Sequence, residues 1–492
     1  MLGLIGAMAV VFGSGCATPA RPELSHLTDQ AVPEPYNGEY VATFHTRWFG
    51  PVYARLTAQR TGDGFKANTA PGVAWSLVGG VEQVLGQVFA PFLFPSGMLL
   101  VWTSEDPEAK AGAPAEGWIG PATIDPWRLP TTMSRPEGPV VIRYRDGRAL
   151  GVMTLARPAA QPLPRTDYSL LNQRLGDIMR ASYYDPDALD AAAMKSFLTD
   201  IKAAEPAVRD DLTYLASLAL AWRKHSGVAM PLPSRRQEAL SRELLSAVQN
   251  PVESLSAKVS EKSRIATIDA VVFEDAQAID RMMEHLISQD PAGILLDLRN
   301  CTGLDLSALR LVSWLVREPV DAGMFVAGSK RALVKSGDAD RIEAEAVAID
   351  GPARVASATS TLEREGSVLL SVHPADRVYA GPLVVLTSSR TRSTGELLAW
   401  LLQSTGRARV VGEKTAQRPR LSREHDLGQG FVVRIDEFDW VPPLEASGGK
   451  TDPAVVPDVA ASRQRAPARG SRLLADLIAE GDAGQARPGT KK

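Results

Sequence analysis

From Arg264 onward the hydrophobic period of the chain switches between two residues and three to four, and this constrains the fold more than any other feature. Strand-like Ile265-Ala-Thr-Ile-Asp269 precedes a helical period over Ala276 to Ser288. Ile294-Leu-Leu-Asp-Leu298 reads as a short buried strand and Leu306 to Val316 as a helix. Gly323 to Ala327 and Leu383 to Leu386 follow as strands, then Gly395 to Gln403 as a helix. Strands alternating with helices predict an α/β core.

Ahead of that core the pattern differs. Between Asn37 and about Leu155, short β-type runs such as Tyr40-Val-Ala-Thr-Phe44 and Val140-Val-Ile-Arg-Tyr144 are punctuated by turns at Gly62-Asp63-Gly64 and Asp146-Gly147, which predicts a β-rich domain. Val73 to Trp102 is strongly apolar, but Glu82, Gln83, Gln87, several glycines and two prolines interrupt it, so it reads as core packing or a membrane-facing element rather than a span. Pro158, Pro162 and Pro164 close the domain. From Tyr168 the spacing of Leu170, Leu171, Leu175, Ile178 and Met179 is helical, and further helical runs predict a small helical cap.

Leu2 to Phe12 is an apolar run too short to span a bilayer as a helix. Gly13-Ser14-Gly15-Cys16 after it resembles the lipobox of bacterial lipoproteins, in which the cysteine, here Cys16, receives lipid. The run lacks the Lys or Arg that a signal peptide carries ahead of its apolar part. Pro19, Pro22, Pro33 and Pro35 make the following segment a tether. The expected organisation is thus a signal peptide over residues 1–16, a flexible tether over 17–36, a β-rich domain over 37–160, a helical cap over 165–262, an α/β core over 263–460 and a flexible tail over 461–492. The expected location is the cell envelope, with the membrane reached through a lipid anchor at Cys16.

Composition narrows the function. A net charge of −3 with 23% charged residues disfavours nucleic acid as a partner. Two cysteines and six scattered histidines provide no structural metal site, and no GxxxxGK[ST] or GxGxxG stretch offers a phosphate cradle, so no metal or cofactor is expected.

Three stretches of the core carry the chemistry. Leu296-Asp-Leu-Arg-Asn-Cys-Thr-Gly303 is a buried strand running into a tight turn of the kind that exposes backbone N–H groups for an oxyanion hole. Tyr379-Ala-Gly-Pro-Leu-Val-Val-Leu386, with Thr391-Arg-Ser393-Thr-Gly-Glu396, places a serine at a strand-to-helix junction, where a serine is ordinarily an N-cap. Ala408 to Thr415 and Val456-Pro-Asp-Val459 complete the set.

In this order and spacing the stretches resemble the tail-specific, or C-terminal processing, serine peptidases and their tricorn-core relatives. The resemblance runs from about Tyr168 to Val459. It implies a fold related to the crotonase and caseinolytic-protease core, with ββα units, beneath the cap and beside the β-rich domain. It implies Ser393 as nucleophile, and the backbone N–H groups of Thr394 and of Gly303 or Leu304 as oxyanion hole. The chain departs from the family at the base: 25 residues past the serine, where processing peptidases carry a lysine, stands Arg418, which stays protonated. Lys414 is four residues earlier, about 13 Å along a strand.

The tricorn-type branch takes its base from the cap, and Leu218-Ala-Leu-Ala-Trp-Arg-Lys-His225-Ser-Gly resembles that turn, which makes His225 the candidate. An imidazole with a reference pKa near 6.5 can take a serine proton and return it to the leaving amine; the plainer role is a histidine complementing a helix C-terminus. Glu445 and Asp452 are both candidates to orient it, with Ser226 as a further helper. Cys301 in the oxyanion turn reads as an inert thiol, and His425 as a minor substitute base. The expected function is a secreted, lipid-anchored serine endopeptidase acting on a protein or peptide substrate through an acyl-enzyme at Ser393. The alternatives are a pseudopeptidase that binds at the cell envelope without catalysis, motivated by Arg418, and an esterase or amidase on the same fold.

Overall fold

A computed structural model describes residues 38–46, 50–61, 64–69, 98–102, 115–121, 138–143, 149–156, 158–189, 191–224, 233–247, 253–303, 305–338, 341–416, 419–443 and 454–485. The chain divides into two compact units, one of residues 1–168, 200–224 and 234–252, the other of residues 169–199, 225–233 and 253–492. The tether, the Cys16 motif and the apolar stretch before Met98 lie outside the described residues. No helix among the described residues is long and apolar enough to cross a membrane.

The first unit is built on a seven-stranded sheet. Its strands are β1 (Gly38–Thr46), β2 (Gly50–Thr61), β3 (Gly64–Thr69), β4 (Met98–Trp102), β5 (Ala115–Pro121), β6 (Gly138–Arg143) and β7 (Ala149–Ala156), in the order β3-β2-β1-β7-β6-β5-β4. β3 pairs with β2 only from Leu56 to Thr61, and among the described residues the strand gives the N–H groups of Tyr53 and Arg55 no partner on that side. The carboxylates at the start of helix Asp211–Lys224 take them: Tyr53 N–H donates to Asp211 at 3.0 Å and Arg55 N–H to Asp210 at 2.7 Å. Asp211 also receives the Tyr168 hydroxyl at 2.8 Å and the Arg235 guanidinium at 2.6 Å, so this buried charge is fully paired. Helix Asp211–Lys224, read from the sequence as cap, is therefore bound to the β-sheet. His45 sits between the hydroxyls of Ser241 and Thr154, and burial pushes its imidazole down to about 4, which keeps it neutral.

After the two-residue strand β8 (Ser234–Arg235), the second unit holds, among the described residues, one sheet path of six strands and one of five. The strands are β9 (Leu255–Val259), β10 (Ile265–Ala270), β11 (Gly293–Asp297), β12 (Val320–Ala327), β13 (Glu345–Ile349), β14 (Ser367–Val372), β15 (Leu383–Thr387), β16 (Arg409–Gly412), β17 (Leu421–Gly428), β18 (Phe431–Val441) and β19 (Val459–Ala460). One sheet runs β19-β16-β15-β11-β10-β9 and the other β13-β14-β12-β18-β17. In the first, β10, β11, β15, β16 and β19 are mutually parallel. This mixed α/β core has the layered architecture that the sequence predicts.

The unbroken apolar strands follow from that layering, because a parallel sheet covered on both faces buries every side chain. Successive residues point to opposite faces. Ile294, Leu296, Leu383, Val385 and Val410 join the large core with helices Ala276–Ser288, Ser307–Ser313, Pro352–Glu365 and Thr394–Ser404. Leu295, Val384, Leu386 and Val411 face the other way and pack with Ala466 and Leu474 of helix Ala466–Gln485. That helix is longer than the short apolar run legible between Leu473 and Ile478. It forms because the second face of the sheet needs a cover.

Candidate active site

The carboxyl ends of β11 and β15 lead into two loops laced to each other. Leu298 N–H donates to the Leu386 carbonyl at 2.9 Å, the Thr391 hydroxyl to the Leu298 carbonyl at 2.7 Å, and the Ser388 hydroxyl to the Arg299 carbonyl at 2.6 Å. Arg392 N–H donates to the Cys301 carbonyl at 3.1 Å. These bonds hold the turn at residues 300–303 against the start of helix Thr394–Ser404.

Ser393 stands at that start with φ 56° and ψ −138°, and its side chain makes no capping bond. A serine recruited as an N-cap would have extended backbone and an oxygen on a first-turn N–H. The observed conformation is one a side chain adopts at a cost of about 1–3 kcal/mol, which the laced loops sustain. The Ser393 hydroxyl instead donates to the Arg420 carbonyl at 2.5 Å. The Arg420 side chain is held in turn, its guanidinium carbon 3.7 Å from the centre of the Tyr184 ring and its Nε 3.4 Å from Asp439. Arg331 also lies over Tyr184, at 4.8 Å, and pairs with Asp185 at 3.0 Å.

Gly303 lies against the serine and the residue that follows it. Its φ is +59°, and a Cβ there would come within 2.5 Å of both Thr394 N and Thr394 Oγ1 and 3.0 Å of Ser393 Cβ. Only glycine meets both the left-handed backbone and the space. Ser393, Thr394 and Gly303 are thus brought together. Behind them, a Cβ on Gly395 would lie 2.5 Å from Cys301 Sγ, so the helix rests on the thiol. Complete burial pushes that thiol up to about 12, against a hydrogen bond from Gly303 N–H, and leaves it protonated and unreactive.

The other named residues fall differently. His225, Glu445, Asp452, Arg418, Leu304 and Cys16 lie outside the described residues. His425 stands beside Glu437, with Nε2 3.3 Å from Oε2, five residues along from Arg420. A strand of that length covers about 16 Å. Glu396 had no role in the sequence reading beyond its place in the motif. Three residues past Ser393, where a Ser-x-x-Glu pattern signals a capping box, it is completely buried and accepts the Thr415 hydroxyl, which accepts Val455 N–H at 2.9 Å. Among the described residues no group of three or more His, Cys, Asp or Glu could hold a metal ion.

Chemically, the arrangement offers a hydroxyl on a strained junction, the N-terminal end of a helix, and a glycine turn pressed against both. Residues 264–461 match the model described as Peptidase family S41. No curated protein matches the chain. Similar solved structures include a lipoprotein from Streptococcus agalactiae at 12% identity and a TM-score of 0.38, covering 64% of this chain and 98% of that one. The photosystem II D1 C-terminal processing protease is 15% identical with a TM-score of 0.32, over 63% of this chain and 97% of that one. The tricorn protease is 10% identical with a TM-score of 0.36, over 69% of this chain and 40% of that one.

Proposed function

We propose, from the match of residues 264–461 to the model described as Peptidase family S41, that the chain is a serine endopeptidase acting on protein or peptide substrates with Ser393 as nucleophile. The observation that carries this reading is the Ser393 backbone: a serine at φ 56°, pressed on a glycine turn, does not use its hydroxyl to cap the helix it starts. Ser393 Oγ attacks the scissile carbonyl, the Thr394 N–H and the turn at Gly303 receive the oxyanion, and the acyl-enzyme is released by water. His225 takes the serine proton and returns it to the leaving amine, oriented by Glu445 or Asp452. Cys16 carries a lipid anchor that holds the enzyme at the cell envelope.

A second reading has its own support. The Ser393 proton rests on a carbonyl, which cannot accept it in a reaction, and arginine occupies the family's lysine position at residue 418. A pseudopeptidase that binds peptides without cleaving them fits both facts. The pH profile separates the two. With His225 as base, kcat/KM for an unfolded protein substrate rises as pH rises toward neutrality, because only the neutral imidazole can accept the serine proton. Absence of cleavage at every pH, with peptide binding retained, assigns the chain to the binding reading.

A further inference from the structure

Thr394 is 1% exposed, and its Oγ1 is buried with no hydrogen-bond partner among the described residues. Buried hydroxyls are almost always satisfied, and one that is not calls for an explanation. Threonine within a helix ordinarily donates back to a carbonyl of the preceding turn. Thr394 does not, although its neighbour Ser393 has found the Arg420 carbonyl. The orphan oxygen is also placed with care: Thr394 Oγ1, Thr394 N and Ser393 Cβ converge on one point beside the Gly303 Cα, at 2.5, 2.5 and 3.0 Å from it. An unused donor thus stands beside the Thr394 N–H, itself an expected oxyanion donor.

We infer that the Thr394 hydroxyl is an oxyanion donor in its own right, a catalytic role for the side chain beyond that of its backbone N–H. This rests on the reading of Ser393 as nucleophile. As the Ser393 Oγ–C bond forms, the π pair of the scissile carbonyl moves onto its oxygen and the serine proton passes to the base. The Thr394 O–H then donates to that oxygen without giving up its proton. On collapse the pair returns to re-form the carbonyl, the C–N bond breaks, and the amine leaves with the proton from the base. A hydroxyl unsatisfied at rest and satisfied only when negative charge develops stabilises the transition state more than the ground state.

The test is the second-order rate at which a fluorophosphonate labels Ser393 in wild type, Thr394→Val, Thr394→Ala and Thr394→Ser, each with its thermal midpoint. Valine keeps the shape and removes an orphan polar group, so Thr394→Val is expected to unfold at the wild-type temperature or above while labelling about 10²-fold more slowly. Thr394→Ser restores the rate to within about threefold, and for peptide hydrolysis the loss in Thr394→Val falls on kcat with KM unchanged. Thr394→Ala removes the hydroxyl without bulk and gives the same slow labelling even where the valine packs badly. A labelled wild type with Thr394→Val and Thr394→Ala at the same rate overturns this inference and leaves Ser393 as nucleophile. A folded wild type that takes no label overturns both together.

Discussion

Ser393→Ala is expected to lower peptide hydrolysis by at least about 10⁴-fold while the protein stays folded. Removing a nucleophile leaves only what binding and oxyanion stabilisation can do for attack by water. The structural consequences are small by comparison. Alanine occupies φ 56° at the same cost as serine, and the Arg420 carbonyl loses one hydrogen bond, worth about 1 kcal/mol. Rates measured beside thermal unfolding of the same preparation check both halves. A variant that keeps a tenth of wild-type activity would mean that hydrolysis runs through another group.

Gly303→Ala is expected to cost about 10²-fold in the same assay and to destabilise the second unit by about 1–3 kcal/mol. Two causes act together. A left-handed backbone penalises alanine by about 1–2 kcal/mol, and its Cβ would come within 2.5 Å of the Thr394 amide nitrogen, a backbone atom that can only yield by moving the helix start. Such a shift displaces the oxyanion donors from the serine, so the loss should fall on kcat more than on KM. Kinetics together with urea unfolding would show it. Full activity in a stable Gly303→Ala protein would place the oxyanion elsewhere.

The layered core was legible because burial on both faces leaves no choice of residue type. Ile294 to Leu298 and Leu383 to Leu386 could only be strands covered twice, and the cover is helix Ala466–Gln485 on one side. The length of that helix was hidden because its first residues, Ala466 to Gly470, are Ala, Pro, Arg and Gly, which read as a solvated tail. The fate of the helices between 165 and 262 was also hidden. Nothing local in Asp210-Asp211 says that their oxygens will close the N–H groups of β2.

The motif order pointed to Ser393, Thr394 and Gly303, which the fold places side by side, but not to their geometry. Ser-Thr-Gly-Glu is equally a capping box, and only the backbone at φ 56° shows that the serine does not cap. Nor do the side-chain contacts of the basic residues follow from sequence: Arg407 donates to the Leu315 and Tyr379 carbonyls, and Arg420 stacks on Tyr184, a residue more than 200 positions away. Such contacts depend on which strands become neighbours, and periodicity carries no record of that.

Activation of Ser393 as a nucleophile is measured most directly by reaction of the purified full chain with a fluorophosphonate followed by peptide mapping of the adduct. One adduct is expected, on Ser393, formed faster as pH rises toward neutrality. A folded protein that carries no adduct, or carries it on another residue, would contradict the assignment of Ser393 as nucleophile.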